Sequence, residues 1–290
     1  ERRTPRLSRR AKRLRHHQSV QRDDWLLNLP PPPQTHLAKP MKKRILTALA
    51  AAIAQGAFAA DITVSAAASL TDAFGDIAKA YQAKYPDAKI DLNFAGSGAL
   101  LQQISKGAPV DVFASADTVT MDKAADYIDP ATRQNFVENR LVVIMPKDAK
   151  WDGKDLAALL DDKALKRIAI AHVENVPVGR YTKGALEKAG LWDKLGERNL
   201  PTQNVRQSLD YVARGVADAG FVYATDAAIM PDKVKIVLEV PLDKPLVYPI
   251  AVLKNSKAAD ESKRFVAFVT GADGQKILQG YGFSAPAAAK

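Results

Sequence analysis

From residue 62 onward, short apolar runs alternate with longer stretches of helical period, almost to the end of the chain. Such alternation predicts α/β units around a mainly parallel sheet. The runs place strands over residues 62–65, 89–94, 111–115, 141–145, 167–171, 219–223, 234–239 and 246–253. Helical spacing is clearest over 70–81, where Leu70, Phe74, Ile77, Ala78 and Tyr81 share one face, and the same period recurs over 205–214 and 261–279. Periodicity alone leaves open whether these strands form one large sheet or two smaller ones. Two apolar runs marked by proline, 141–147 with Pro146 and 246–253 with Pro249, are candidates for segments that cross between two lobes. On that reading residues 60–144 and 248–290 form lobe one and residues 145–247 form lobe two.

The first 59 residues have a different pattern. Met41-Lys42-Lys43-Arg44 is a positive n-region, an Ala-rich apolar run follows, and Ala57-Phe58-Ala59 is an A-x-A cleavage signal ahead of Ala60. Residues 41–59 are therefore expected to be a cleavable secretory signal peptide, because the apolar run falls short of the roughly 20 residues that span a bilayer. Upstream, residues 1–40 hold arginine clusters and four consecutive prolines at 30–33, a composition that buries no core. They are expected to be a disordered upstream segment, translated from DNA ahead of a true start at Met41.

Charge changes the picture once it is placed along the chain. The formal net charge is +10, but residues 1–59 carry 13 Lys/Arg against 3 Asp/Glu, which leaves 29 of each sign in residues 60–290. The folded part offers no broad basic field, so nucleic acid is not an expected partner. No cysteine occurs, which removes disulfides and thiol-based zinc sites, and His172 is the only histidine after residue 59.

Candidate chemistry collects where strands hand over to helices, since those junctions line the crevice at the carboxyl ends of parallel strands. At Ala68-Ser69-Leu70, Ser69 can cap a helix beginning at Leu70 or offer its hydroxyl to a ligand. At Gly96-Ser97-Gly98 the flanking glycines allow either a plain turn or an anion nest. The motif lacks the Lys-Ser/Thr ending of a phosphate-binding loop and the framing of a nucleophile elbow. Val176-Pro177-Val178-Gly179-Arg180 precedes the helical pattern 181–188, and Asn204 and Gln207 have capping-box spacing. Tyr223 ends an apolar strand, where it can either pack or donate.

These junctions resemble a known family. Ala-Ala-Ala-Ser-Leu at 66–70, Gly-Ser-Gly at 96–98, Val-Pro-Val-Gly at 176–179, Asn-Val-Arg at 204–206, Val-Tyr-Ala-Thr-Asp-Ala at 222–227 and Gly-Tyr-Gly-Phe at 280–283 occur in the order found in periplasmic molybdate-binding proteins. The resemblance implies the type II periplasmic-binding fold, two α/β lobes joined by two crossover strands and closing on an anion. It implies ligand contacts from Ser69 and Ser97 in lobe one and from Val178, Val205 and Tyr223 in lobe two. Val178 stands where alanine is frequent in the family, and His172-Val173-Glu174-Asn175 departs from its usual Pro-Glu-His pattern. The implied protein is a periplasmic monomer that needs no cofactor, binds molybdate or tungstate, and delivers it to the membrane permease of an ABC transporter. Other oxyanions such as sulfate or phosphate are alternatives within that class. Outside it stand a sensor of anion levels and a serine hydrolase built from Ser69 or Ser97, with His172 as base and Asp111 or Asp226 as orienter.

Overall fold

A computed structural model describes residues 61–286. The expected upstream segment 1–40, signal peptide 41–59 and new terminus Ala60 lie outside the described residues.

Among the described residues, ten strands form two five-stranded sheets. The first sheet and its helices begin with β1 (Ile62–Ala67), α1 (Thr71–Lys84), β2 (Ile90–Ala95), α2 (Ser97–Ser105), β3 (Val112–Ala114), α3 (Thr118–Lys123) and β4 (Gln134–Asn139). The chain then enters the second sheet through β5 (Leu141–Pro146), α4 (Leu156–Asp161), β6 (Ile168–Ala171), α5 (Pro177–Lys188), α6 (Trp192–Leu195) and β7 (Asn199–Thr202). That sheet is completed by α7 (Val205–Ala213), β8 (Ala219–Tyr223), α8 (Ala224–Ala228) and β9 (Val234–Val240). Finally β10 (Leu246–Val252) returns to the first sheet, and α9 (Ala259–Thr270) and α10 (Ala272–Gly280) pack back on lobe one. The strand orders are β2-β1-β3-β10-β4 and β7-β6-β8-β5-β9.

The expectation of mainly parallel sheets needs correction. Within each lobe the βα units pair in parallel, β1 with β2 and β3, and β6 with β7 and β8. The strands next to the crossings run the other way: β10 is antiparallel to β3 and β4, and β5 is antiparallel to β8 and β9. Each lobe is therefore a mixed sheet. The lobe boundaries shift for the same reason, because residues 141–144, expected in lobe one, pair in the second sheet. Only Arg140 separates β4 from β5, and residues 241–245 make the return crossing.

The apolar face read for α1 is buried as expected, with Phe74, Ile77 and Tyr81 wholly enclosed. Phe265 and Phe268 of α9 meet Tyr81 edge-on at 5.2 and 5.3 Å between ring centroids. The helical stretch 261–279 is two helices, parted at Gly271. Its backbone is extended there (φ −80°, ψ 177°), and a Cβ would stand 2.9 Å from the Ala267 carbonyl oxygen. A row of edge-on rings then leads from this core toward the interlobe space: Phe136 to Tyr248 at 6.4 Å, Phe283 to Tyr248 at 5.6 Å and Tyr248 to Tyr223 at 5.8 Å. Gly282, at φ 88°, makes the turn that brings Phe283 back onto Tyr248, so the 280–283 motif is a buttress of the core.

Candidate functional site

The four junctions converge on one cleft between the lobes. It is lined by residues 67–69, 95–97, 176–178, 204–205, Ala116 and Tyr223. All five residues singled out for ligand contact, Ser69, Ser97, Val178, Val205 and Tyr223, are among them, and all are buried. No lining residue carries a charge.

Local sequence explains how each junction presents its donors. Pro177 occupies the first helical position of α5, where a missing N–H costs nothing, so the helix starts four residues before the expected Tyr181 and Val178 lies in its first turn. Asn204 caps α7 as expected, its side chain accepting the Gln207 N–H at 3.0 Å. The return bond from Gln207 goes to the Gln203 N–H at 2.6 Å, one residue before the position a capping box would use. Ser97 is the first residue of α2, and Val205 the first of α7. The opening N–H groups of α2, α5 and α7 have no intrahelical acceptor, and each helix directs the positive end of its dipole at the cleft.

Ser69 departs from its expected capping role. A short 3₁₀ turn, Ala68–Leu70, precedes α1, and the Ser69 hydroxyl lies 3.0 Å from the Tyr248 hydroxyl instead of bonding the backbone. Ser97 Oγ accepts the Ala116 N–H at 3.0 Å. Tyr223, 1% exposed, has a hydroxyl without a hydrogen-bond partner among the described residues. Burial raises its pKa well above the ordinary phenol value, so the group stays a neutral donor.

The lobes touch across the cleft. The Gly98 N–H donates to the Asn175 carbonyl at 2.9 Å. A Cβ at Gly98 would sit 2.2 Å from that oxygen, and one at Gly96 would sit 2.9 Å from the Gln203 carbonyl. The glycines flanking Ser97 therefore make room for the opposite lobe. Arg180 of lobe two donates to Asp117 of lobe one at 2.9 and 2.6 Å and to Thr120 Oγ1 at 2.6 Å. Arg206 lies 2.7 Å from Asp72 across the cleft and 2.6 Å from buried Asp226 within its own lobe. Arg206 is the ion-pair partner of that fully buried carboxylate. Burial pushes the Asp226 pKa up to about 6, against the opposing pull of Arg206.

Tyr248, Asn139, Asp117 and Ala116 carry no local signature in the sequence, whereas Arg180 and Arg206 lie inside the motifs at 176–180 and 204–206. The elements of a hydrolase are not assembled. His172 is exposed in a neighbouring groove with Nε2 3.2 Å from Gln203 Nε2, and Asp111 is occupied by the Thr63 N–H and the Ser256 hydroxyl.

Residues 62–284 match the sequence profile of the family described as bacterial extracellular solute-binding protein. The molybdate-binding protein ModA of Escherichia coli is 40% identical over 249 residues, covering 82% of this chain and 95% of its own. The solved structure of the Azotobacter vinelandii periplasmic molybdate-binding protein superimposes with a TM-score of 0.68 at 25% identity, over 78% of this chain and 100% of that one. The sulfate-binding protein SubI of Mycobacterium tuberculosis reaches the same TM-score at 14% identity, over 79% of this chain and 88% of that one, a likeness of fold alone.

Proposed function

Because this chain belongs to the bacterial extracellular solute-binding protein family, we propose that it captures molybdate, and equally tungstate, between its lobes and delivers the anion unaltered to an ABC-type permease. The exported protein would work in the periplasm as a monomer, carried there by the leader read at 41–59. One observation carries the reading: a cleft without charged lining residues, where two serine hydroxyls, a partnerless tyrosine hydroxyl and the N-termini of three helices converge.

An unprotonated tetrahedral dianion offers acceptors only, and every proposed contact from Ser69, Ser97, Val178, Val205 and Tyr223 is a donor. Hydrogen bonds to a charged acceptor contribute roughly 1.5–3 kcal/mol each, net of exchange with water, so a handful supports tight binding without lysine or arginine in contact. Monohydrogen phosphate brings a proton into a donor-lined site and leaves it unpaired. Sulfate has the right charge but shorter bonds to oxygen, so donors spaced for a larger anion are stretched.

A thermal melt of residues 60–290 with and without sodium molybdate tests the proposal. At 100 times Kd the ligand contributes about 2.7 kcal/mol, which is roughly 5–10 °C in Tm for a protein of this size. Tungstate should match molybdate in competition, and sulfate and phosphate should need a large excess. Equal competition by sulfate or phosphate would overturn the assignment.

A further inference from the structure

The proposed contacts all require hydroxyls that donate toward the anion, yet a serine hydroxyl donates or accepts with equal ease. Something must set the direction. At Ser97 the backbone does so: Oγ accepts the Ala116 N–H, and the hydroxyl hydrogen is left for the cleft. At Ser69 no backbone group bonds the hydroxyl, and the neighbouring atom is another hydroxyl, that of Tyr248.

The direction there can be traced from Asn139, the last residue of β4. Its Oδ1 accepts the Arg140 N–H at 2.9 Å, which fixes the amide orientation because the reverse would set N–H against N–H. Nδ2 therefore donates, to Thr225 Oγ1 of lobe two at 2.8 Å and to Tyr248 Oη at 3.3 Å. With Tyr248 Oη accepting on that side, its own hydrogen goes to its remaining partner, Ser69 Oγ. Tyr248 is fully buried, and burial raises its pKa well above the ordinary value, so this hydrogen is retained at neutral pH. Ser69 Oγ is then an acceptor toward Tyr248, and no acceptor among the described residues bonds its hydrogen.

We propose that Asn139 and Tyr248 are positioning residues that direct the Ser69 hydroxyl, through the sequence Asn139 amide to Tyr248 to Ser69, so that it donates to an anion in the cleft. The proposal rests on the oxyanion reading of the site and adds a source of its selectivity. With the relay intact, the Ser69 hydrogen is not spent on Tyr248 and stays available to an acceptor on the ligand, while only one Ser69 lone pair is left for a ligand that must donate. With the relay cut, Ser69 is free to rotate and accept.

The test is a double-mutant cycle on the full chain, read by calorimetric titration with sodium molybdate and with phosphate. Tyr248→Phe keeps the ring that packs on Phe136, Tyr223 and Phe283 and removes only the hydroxyl, which is both the donor to Ser69 and the acceptor of the Asn139 amide. It is expected to weaken molybdate binding roughly tenfold and to narrow the preference for molybdate over phosphate by a larger factor. In a Ser69→Ala background the same change should alter molybdate affinity less than about twofold, since its route is gone. Asn139→Leu, which breaks the relay at its other end, should reproduce both results if Tyr248→Phe folds poorly. Equal losses in both backgrounds, or an unchanged molybdate-to-phosphate ratio, would overturn the relay. A wild-type chain that binds no oxyanion would overturn the site reading itself, and that result is seen before any variant is made.

Discussion

Replacing Gly98 by alanine puts a methyl group 2.2 Å from the Asn175 carbonyl oxygen, a separation no real pair of atoms tolerates. Ordinary contact begins near 3.4 Å, so the 174–178 segment must retreat by about 1 Å before the lobes can meet. That retreat stretches the 2.9 Å bond between Gly98 and Asn175 to about 4 Å, beyond hydrogen-bonding range. It also draws the N-terminus of α5, with the Val178 N–H, off the anion. Losing one neutral hydrogen bond and one charge-assisted bond amounts to about 2–4 kcal/mol, or roughly 30- to 1,000-fold in Kd. Folding should not suffer, because Gly98 lies in the first turn of α2 and alanine is favoured over glycine within helices by about 1 kcal/mol. Calorimetric titration with molybdate gives the affinity, and a melt without ligand gives the stability. An unchanged Kd would refute the account of lobe contact. A ligand-free Tm well below wild type would show that Gly98 serves the fold of lobe one rather than closure.

Ser97→Ala should weaken molybdate binding by one to two orders of magnitude, while Ser97→Asp should abolish it by setting a carboxylate against a dianion; equal losses in titration would place Ser97 outside the site. Asp226 has a folded pKa of about 6, above its unfolded value near 3.8, so the folded state holds the proton more tightly and loses stability as pH rises from about 4 to about 6. Asp226→Asn should remove that component, and ligand-free melts of both proteins between pH 4 and 7 should diverge; parallel curves would deny the shift. The leader reading predicts that N-terminal sequencing of the exported protein begins within a residue or two of Ala60, and a chain that retains residues 41–59 would contradict it.

Much of the site was legible because its residues lie at chain positions with their own local signature. Ser69, Ser97, Val178 and Val205 all follow a strand and open a helical turn, and that succession is visible in one dimension. Tyr248 and Asn139 are 109 residues apart and join only through the crossing strands, so no local pattern marks them as partners of Ser69. Arg180 and Arg206 lie inside the motifs at 176–180 and 204–206, but their carboxylate partners come from the other lobe or a buried helix. The missed strands have physical reasons too. β4 reads Gln-Asn-Phe-Val-Glu-Asn, a polar sequence suited to the edge of its sheet, and β7 is a four-residue edge strand interrupted by Pro201. Pro249 sits inside β10 beside a register shift against β4, an irregularity that absorbs a residue without an N–H.

The placement of β10 has a consequence for how the molecule is made. It lies between β3 and β4, so β4 has no neighbour in the sheet until residue 246 has arrived, more than a hundred residues later. Lobe two, by contrast, draws its sheet from the continuous stretch 141–240. A chain emerging from its N-terminus can therefore complete the second domain while the first still exposes an unpaired strand, and closing the first sheet requires the capture of a distant segment against loop-closure entropy. Until that capture the first sheet is unfinished, Tyr248 is absent from the space behind Ser69, and no cleft exists to be filled.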